Sequence, residues 1–310
     1  MTLLSMRLAK ILRESEEIPF GNRDSFIILS DCHRGDNSAA DDFAQNHTLF
    51  LFVLDHYFGK GFTYIELGDG DELWENKNFE HVQAAHNRVF LAMRGFYRAN
   101  RLYLIYGNHD VERRNPQTVR KTMSSIYNLR TDRTEPLFPD VQVRAGLVLR
   151  HEPTGGRILL THGHQADPVS DRLWKLSRFF VRYWWRHLQM IGFHDPTSQA
   201  QNVKRRDKAE ERLIAWVLDS RTPLMVGHTH QPRFPAPGKP AYFNTGSCVH
   251  PRCVTGLEIS GGRIGLIKWS MEADRTGRLF FKKRQIEGPR SLESVFLEDQ
   301  DSPAARWRRT

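Results

Sequence analysis

The chain contains few cysteines and no long apolar run. Its three cysteines, Cys32, Cys248 and Cys253, are unevenly placed and form no C-x-x-C pair. They exclude a disulfide framework and the common thiolate zinc sites, which favours a reducing compartment. No apolar stretch approaches the length of a membrane span. Residues 1–13 lack the apolar core and cleavage site of a secretion signal and predict a short amphipathic helix, so we expect a cytoplasmic protein.

Histidine and positive charge are in excess. The 310 residues include 14 histidines, and 45 lysines and arginines against 36 acidic residues give a net charge of +9. With 39% hydrophobic and 11% aromatic residues, the composition is that of a globular chain and not of a disordered one. Because imidazole is the commonest metal ligand among side chains, the positions of the histidines decide what their number indicates.

Five short apolar runs each end in a cluster of polar residues. The runs predict strands over residues 26–30, 62–67, 102–106, 157–161 and 224–226, with helices over 41–57 and 81–100 between the first three. The clusters that follow them are Asp31-Cys32-His33, Gly68-Asp69-Gly70-Asp71-Glu72, Gly107-Asn108-His109-Asp110, His162-Gly163-His164 and Gly227-His228-Thr229-His230. Strands alternating with helices indicate an α/β sheet, whose ligands bind beyond the carboxyl ends of the strands.

The remaining segments set the predicted domain organisation. Short strands over 241–244, 255–260, 263–270 and 278–284 predict an antiparallel or mixed second sheet. Residues 165–221 have no strand pattern and predict a helical cap insertion, with helices over 171–191 and 199–218. We expect a helix and lead-in over 1–24, one α/β domain over 25–288 and a flexible tail over 289–310.

The five clusters together indicate a metal centre, although each alone could be a turn or a structural hydrogen-bonding group. Carboxylate, amide and imidazole ligands in one site suit Mn²⁺, Fe or Zn²⁺. Seven candidate ligands are too many for one tetrahedral site, so two metals sharing a carboxylate are favoured. The candidates are Asp31, His33, Asp69, Asn108, His162, His228 and His230.

The ordered clusters resemble the motifs of the calcineurin-like metallophosphoesterases. The resemblance implies a four-layer αββα sandwich that holds two divalent metal ions, with Mn²⁺ favoured and Fe or Zn²⁺ as alternatives. It assigns one metal to Asp31, His33 and His230, the other to Asn108, His162 and His228, and the bridging position to Asp69. Two metals about 3.5 to 4 Å apart can share a hydroxide that attacks a phosphoester or pyrophosphate.

Further residues are candidates for catalysis and substrate binding. We hypothesise that His109 protonates the leaving group or stabilises the transition state, and that Asp110 holds its tautomer. Candidate substrate contacts are His164 and Asn108, together with Arg178 and Arg182 of the predicted cap. His164 could equally be a structural hydrogen-bonding residue.

Two features resemble the UDP-2,3-diacylglucosamine hydrolase branch: the pattern Gly68-Asp69-x-x-Glu72-x-Trp74, and the predicted cap rich in Trp, Arg and Phe. That branch has Arg at the position of His109. The first cap helix has a basic stripe of Lys175, Arg178, Arg182 and Arg186. This stripe fits a lid over a nucleotide- or lipid-linked phosphate, a peripheral membrane contact, or a helix packed on the core. A protein Ser/Thr phosphatase, a nuclease and a non-catalytic scaffold stay as alternatives. The modest charge and the absence of a nucleic-acid motif disfavour a nucleic-acid partner.

Overall fold

Two β-sheets organise the chain. The computed structural model describes residues 2–167 and 203–301. A five-stranded sheet has the order β1 (Glu16–Phe20), β8 (Leu147–His151), β9 (Arg157–Leu160), β10 (Leu224–Val226) and β11 (Tyr242–Asn244). A seven-stranded sheet has the order β14 (Leu279–Ser291), β13 (Arg263–Ala273), β12 (Cys253–Ser260), β2 (Phe26–Leu29), β3 (Thr63–Leu67), β4 (Leu102–Ile105) and β7 (Val143–Arg144). Strands β5 (Ser125–Asn128) and β6 (Arg133–Pro136) form a separate antiparallel pair.

Helices cover the outer faces of both sheets. The helices of the described residues are α1 (Leu3–Glu14), α2 (His47–Gly59), α3 (Phe79–Ala85), α4 (Asn87–Arg98), α5 (Pro116–Met123), α6 (Val203–Ser220) and α7 (Leu292–Asp301). Side chains of α2, α3 and α4 share a core with the outer face of the seven-stranded sheet. Side chains of α1 and α6 share a core with the outer face of the five-stranded sheet.

The alternation of side chains along β2 creates the layers. Ile27 and Leu29 face the helices α2 to α4, whereas Phe26 and Ile28 face the other sheet. The face of the five-stranded sheet that meets them includes Leu147, Leu149, Ile158 and Leu160. Both faces of the central strands are therefore buried, which explains why the sequences of these strands are continuous apolar runs. The α/β fold with its four layers, as the motifs implied, is confirmed.

The two predicted helices after β2 and β3 have different boundaries. The first begins at His47 and not at residue 41, because Asp41 accepts hydrogen bonds from the backbone N–H groups of Asn37 and Phe43 and holds a loop. The second is divided at His86, whose ring contacts the Asp41 carboxylate at 2.7 Å. The sequence shows a single helical period across this break because α3 and α4 both bury apolar side chains in the same core.

Two predictions about the C-terminal part are wrong. The strands after residue 232 form no separate sheet: β11 pairs with β10, and β12 pairs with β2 in the larger sheet. The flexible tail does not begin at residue 289, since β14 continues to Ser291 and α7 follows. Leu292, Val295 and Phe296 of α7 are buried between the sheets. The last nine residues, 302–310, lie outside the described part of the chain.

The structure describes only part of the predicted cap. Its first helix, 171–191, lies outside the described residues. The second corresponds to α6, whose Leu213, Trp216 and Val217 are buried against the five-stranded sheet. This helix therefore belongs to the outer helical layer and not to a cap, because its apolar spacing of three and four residues gives it a face for the sheet. Across residues 2–167 and 203–301, the structure has no helix with the length and apolarity needed to cross a membrane.

Candidate metal centre

The polar clusters meet where the two sheets end. Strands β2, β3 and β4 of one sheet and β9 and β10 of the other deliver their carboxyl ends to the same edge of the sandwich. Backbone hydrogen bonds join the clusters: Asp31 N–H donates to Gly68 O at 3.1 Å, and Gly227 N–H donates to His162 O at 3.0 Å. The clusters are therefore fixed to one another by the main chain, before any side-chain contact is considered.

Asp31, His33 and His230 form the first group of candidate ligands. His230 Nε2 lies 3.2 Å from Asp31 Oδ1, and His33 Nε2 lies 3.8 Å from the same oxygen. The two imidazole Nε2 atoms are 3.2 Å apart. One donor atom from each side chain lies within 4.8 Å of the others, so the three can hold a single cation. Cys32, between two of them, points instead into the core beneath α2 to α4.

Asp69, His162 and His228 form the second group, again with donor atoms within 4.8 Å of one another. His162 Nε2 lies 3.0 Å from Asp69 Oδ2, but the two atoms are not oriented for a hydrogen bond. Asp69 Oδ2 is also 3.9 Å from His33 Nε2, so this carboxylate stands between the two groups. Asn108 completes the set: the N–H of the next residue, His109, donates to Asp69 Oδ1 at 2.8 Å.

Four buried polar atoms in this region have no hydrogen-bond partner: Asn108 Oδ1, His162 Nε2, His228 Nε2 and Nδ1 of the neighbouring His164. Buried polar atoms are nearly always satisfied, and each unsatisfied one costs about 1 to 3 kcal/mol. The second ring nitrogen of His162, Nδ1, is engaged by Leu67 O at 2.9 Å, which fixes the direction of Nε2. Amide oxygen and imidazole nitrogen beside carboxylates are ligands that divalent transition metals accept, so the residues fit such ions.

The electrostatics also suit cations. Burial alone would raise the pKa of Asp31, but the imidazoles of His230 and His162 lower it well below its usual range. Burial likewise opposes ionisation of Asp69, and His162 and His109 lower its pKa. Burial lowers the pKa of His228 to about 3, so its ring is neutral at pH 7. Burial alone would lower the pKa of His162, but Asp69 and Asp31 raise it to about 9, so a metal at this position would replace the proton on that ring.

The backbone is strained at the candidate ligands. Five of them have a positive φ: Asp31 (53°), His33 (46°), Asp69 (50°), His228 (67°) and His230 (56°). They make up half of the ten non-glycine residues with positive φ in the described chain. Such conformations cost roughly 1 to 3 kcal/mol and cluster at functional sites. The concentration of strain here is thus independent support for a functional centre.

Glycines leave room for the ligands. A Cβ at Gly107 would collide with the Asp69 carboxylate, and a Cβ at Gly227 would collide with that of Asp31. Gly68, with φ of +89°, lies against the His162 ring. Three of the sequence clusters thus begin with a glycine because a side chain at that position would collide with a candidate ligand from a neighbouring cluster.

His109 is held by Glu72 and Trp74. Its Nδ1 lies 2.8 Å from Glu72 Oε1, and its ring stacks on Trp74 with centroids 4.1 Å apart. Glu72 Oε2 also contacts His33 Nδ1 at 2.8 Å. Burial alone would raise the pKa of Glu72, but His109 and His33 lower it to about 2, so the carboxylate is charged. Glu72 had no assigned role in the sequence, because only the fold brings it between two imidazoles.

The predicted role of Asp110 is wrong. Its carboxylate does not hold His109: Oδ1 accepts from Gly107 N–H at 2.6 Å, and Oδ2 accepts from Gly70 N–H at 3.1 Å. The side chain turns towards the preceding backbone because it ties its own loop to the loop after β3. Asp110 thus ties two loops together, and Glu72 takes the place predicted for it at His109.

A buried ionic cluster lies behind the metal centre. Its members are Arg34, Glu66, Asp71, Asp110 and Arg113. Arg34, fully buried, donates to Asp71 Oδ1 and Glu66 Oε2, each at 2.6 Å, and to Glu66 Oε1 at 2.8 Å. Arg113 donates to Asp71 and, at 3.5 Å, to Asp110 Oδ2. Two arginines and three carboxylates thereby clamp the loops after β2, β3 and β4 together.

The candidate substrate contacts fall into two sets. His164 is buried beside the second ligand group, with its ring centroid 5.5 Å from that of His162, and its Nδ1 has no hydrogen-bond partner. Asn108 lies within the loop described above. Arg178 and Arg182 lie outside the described residues. Asp167, which the sequence did not single out, is 3.9 Å from His228 Nε2 and pairs with Arg205 of α6 at 3.0 Å.

A four-layer sandwich with candidate imidazole, carboxylate and amide ligands at its strand ends is the arrangement typical of the metallophosphoesterase fold. A sequence model of the calcineurin-like phosphoesterase family matches residues 25–232, about two thirds of the chain, and the chain belongs to this family. The solved structure of Vps29 from Chaetomium thermophilum is similar to it over 86% of this chain and 96% of that chain, with 11% identity and a TM-score of 0.37. At this TM-score the likeness says nothing about activity. No curated protein matches the chain.

Proposed function

We propose that the protein is an active phosphoesterase that holds two divalent metal ions, with Mn²⁺ favoured, and hydrolyses a phosphoester or pyrophosphate bond. One metal would be held by Asp31, His33 and His230. The other would be held by Asn108, His162 and His228, with Asp69 shared between them.

The observation that carries this proposal is the set of buried, unpartnered donor atoms around Asp69. Asn108 Oδ1, His162 Nε2 and His228 Nε2 are buried and have no hydrogen-bond partner, although carboxylate oxygens lie 3.0 Å from His162 Nε2 and 3.9 Å from His228 Nε2. A scaffold that had lost its site would have no reason to keep three costly orphan atoms beside two ionised carboxylates. Cations at these positions would satisfy them.

Metals held here would supply Lewis-acid polarisation of the phosphoryl group and would lower the pKa of a water nucleophile. The protein's own contribution is proton transfer and orientation. In hydrolysis a phosphorus–oxygen bond to water forms and the bond to the leaving oxygen breaks, so the leaving oxygen needs a proton. Charged Glu72 contacts Nδ1 of His109, so a doubly protonated His109 would give its Nε2 proton to the leaving oxygen and keep the proton on Nδ1.

His109 has a second possible role, because it also falls within 4.8 Å of His33 and Asp69 as a potential ligand. Replacing His109 with Ala distinguishes the two. As a proton donor, His109 can be lost with unchanged metal content and a kcat lowered by about 10²- to 10⁴-fold. Loss of bound metal in the variant would assign His109 to the ligands instead.

We infer that the natural substrate is a small phosphorylated compound, with a nucleotide- or lipid-linked phosphate as the finer possibility. The pattern shared with the UDP-2,3-diacylglucosamine hydrolase branch has a local explanation here, since Trp74 stacks on His109 and donates Nε1–H to Asn108 O at 2.7 Å. The lipid-linked part therefore rests on the predicted cap. Replacing Arg178 and Arg182 with Gln should lower kcat/KM for a lipid-linked pyrophosphate, and vesicle binding, while sparing a soluble aryl phosphate.

The deciding experiment measures metal content and hydrolysis together. The protein is loaded with Mn²⁺, its metal is counted by mass spectrometry, and it is assayed with 4-nitrophenyl phosphate and bis(4-nitrophenyl) phosphate. Asp69→Asn should lose metal and activity, whereas Asp140→Asn, the same change in an exposed loop, should lose neither. Absence of both bound metal and hydrolysis in the unaltered protein would favour the scaffold alternative.

A further inference from the structure

A cavity adjoins the metal centre on the side of the N-terminal helix. Its volume is about 560 Å³, within the range of sites for small molecules. Asn108 and His164 line one side, so the cavity lies beside the second group of candidate ligands. Helix α1, which precedes the residues matched by the family, lines the other side. This wall is therefore a feature of the chain beyond the family's shared segment.

Packing against the five-stranded sheet holds the α1 side of the cavity in place. Leu8 of α1 is fully buried in the core beneath the five-stranded sheet. A Cβ at Gly146 would collide with Ile11 of α1, so the glycine allows the helix to approach the sheet closely. Strand β1 follows and pairs with β8 over five residues, which fixes the end of the helix. Side chains on the cavity face of α1 are thus held at a defined place.

Cationic side chains line the described part of the wall. They are Arg7, Lys10, Arg114 and Arg144, beside the two carboxylates Glu14 and Glu16. Glu16 is paired with Arg144 at 2.5 Å, and Glu14 lies 4.0 Å from Lys10. Guanidinium and ammonium groups donate hydrogen bonds to phosphate oxygens, so this wall offers donors to an anion beside the proposed metal ions.

His164 adds a polar group that points to a ligand independently of this charge. It is 6% exposed, it lines the cavity, and its Nδ1 has no hydrogen-bond partner. A buried imidazole nitrogen left unsatisfied at the rim of a cavity is completed by a bound molecule. Arg7 lines the same cavity as this imidazole.

We propose that this cavity binds a second anionic group of the substrate, so that the natural substrate is a small diphosphate or bisphosphate and not a simple monoester. One phosphoryl group would lie at the metal centre, and the other would be held by Arg7, Lys10 and Arg114. The substrate part of this inference rests on the proposed phosphoesterase function, whereas the anion site itself does not. Nucleoside diphosphates and sugar bisphosphates share this chemistry.

Calorimetric binding to the metal-free protein tests the anion site alone. The probes are ADP, fructose 1,6-bisphosphate and orthophosphate at low salt. The double variant Arg7→Gln, Lys10→Gln should weaken the Kd for ADP or the bisphosphate by about fivefold, as expected for two partly exposed charges. Arg114→Gln, on the opposite wall, should weaken it by about twofold. Arg13→Gln is the matched control, since Arg13 lies on α1 but does not line the cavity.

Three outcomes would overturn the proposal: an equal loss in Arg13→Gln, no loss in any variant, or orthophosphate binding as tightly as the two larger probes. Binding of ADP or of fructose 1,6-bisphosphate that is tighter than binding of orthophosphate supports the proposal. The tighter of the two probes then shows whether the substrate is a nucleoside diphosphate or a sugar bisphosphate. Circular dichroism of each variant shows whether α1 is intact, and Arg114→Gln leaves that helix unaltered.

Activity separates this inference from the proposed function. In the Mn²⁺-loaded enzyme, the double variant should lose kcat/KM for the diphosphate or bisphosphate while retaining it for 4-nitrophenyl phosphate within about twofold. An equal loss on both substrates would contradict a separate subsite. If the unaltered protein hydrolyses nothing but its metal-free form binds ADP through Arg7 and Lys10, the phosphoesterase proposal fails and the anion site stands.

Discussion

Replacing Arg34 with methionine tests whether the buried ionic cluster holds the metal-binding loops. Arg34 is fully buried and donates three hydrogen bonds, of 2.6, 2.6 and 2.8 Å, to Asp71 and Glu66. Methionine keeps an apolar stem but removes the guanidinium, whose Cζ lies 5.1 Å from the centre of the Phe90 ring. Asp71 would retain Arg113, and Glu66 would retain only the hydroxyl of Tyr64. Breaking a buried ion pair on one side costs about 3 to 5 kcal/mol.

The assay is thermal unfolding of the metal-free protein by circular dichroism. An unfolding entropy of about 2.1 cal/mol/K per residue over 310 residues gives about 0.65 kcal/mol/K. The expected loss therefore lowers Tm by about 5 to 8 °C. Arg150→Met is the control, because Arg150 is 39% exposed and its nearest carboxylate, Glu17, is 3.6 Å away. This exposed ion pair is worth less than about 1 kcal/mol, or about 1.5 °C.

A second variant makes the reasoning refutable. Adding Glu66→Gln to Arg34→Met removes the carboxylate left without its partner, so the double variant should be more stable than the single one. A single-variant loss below about 1 kcal/mol, or a double variant that is less stable still, would show that the ionic cluster does not carry the stability assigned to it.

Three other predictions follow from the metal centre. Glu72→Gln should weaken Mn²⁺ binding and lower kcat, each by about 10- to 100-fold, because His33 and His109 lose the carboxylate that orients them. The control, Glu80→Gln at an exposed position, should change neither quantity. Metal titration and steady-state kinetics measure both, and unchanged values in Glu72→Gln would show that Glu72 does not orient the two imidazoles. Mn²⁺ at about 100 times its Kd should stabilise the fold by about 2.7 kcal/mol, raising Tm by about 4 °C, and chelation should reverse the gain; an unchanged melting curve would argue against a metal site in the folded state. Gly107→Ala should abolish metal binding, because its Cβ collides with Asp69, whereas Gly59→Ala meets no neighbour and should be neutral by the same titration; normal metal content in Gly107→Ala would refute the steric argument.

The sequence predicted the central strands because these are buried on both faces. Their β-branched and apolar runs are continuous, and each stops where a ligand begins. The last strand was predicted too short for the opposite reason. β14 is an edge strand whose side chains are mostly exposed, so its polar sequence has no apolar period and resembles a tail. Helix α7 escaped prediction because only three of its apolar residues, Leu292, Val295 and Phe296, are buried.

Contacts between distant polar residues could not be predicted at all. Glu72 and His109 are 37 positions apart, and Arg34 and Glu66 are 32 apart. Nothing in the local pattern distinguishes a carboxylate that orients an imidazole from one in a solvated loop. Asp110 was misassigned for the same reason: adjacency to His109 in the chain suggested a contact that its hydrogen bonds to Gly70 and Gly107 preclude.

The ligands themselves are legible in the sequence because they satisfy two requirements together. Asp31 and His33, and likewise His228 and His230, lie two positions apart with positive φ at each member. Few L-residues tolerate this region, and Asn, Asp and His are enriched there. The same three residue types offer the oxygen and nitrogen ligands that a transition metal requires. The backbone conformation and the metal ligation therefore both restrict these positions to the same residue types, Asn, Asp and His. Short motifs at strand ends therefore indicate the metal centre. Residues that orient it, such as Glu72 and Arg34, need the right side chain but no special backbone conformation, so no short sequence motif marks them.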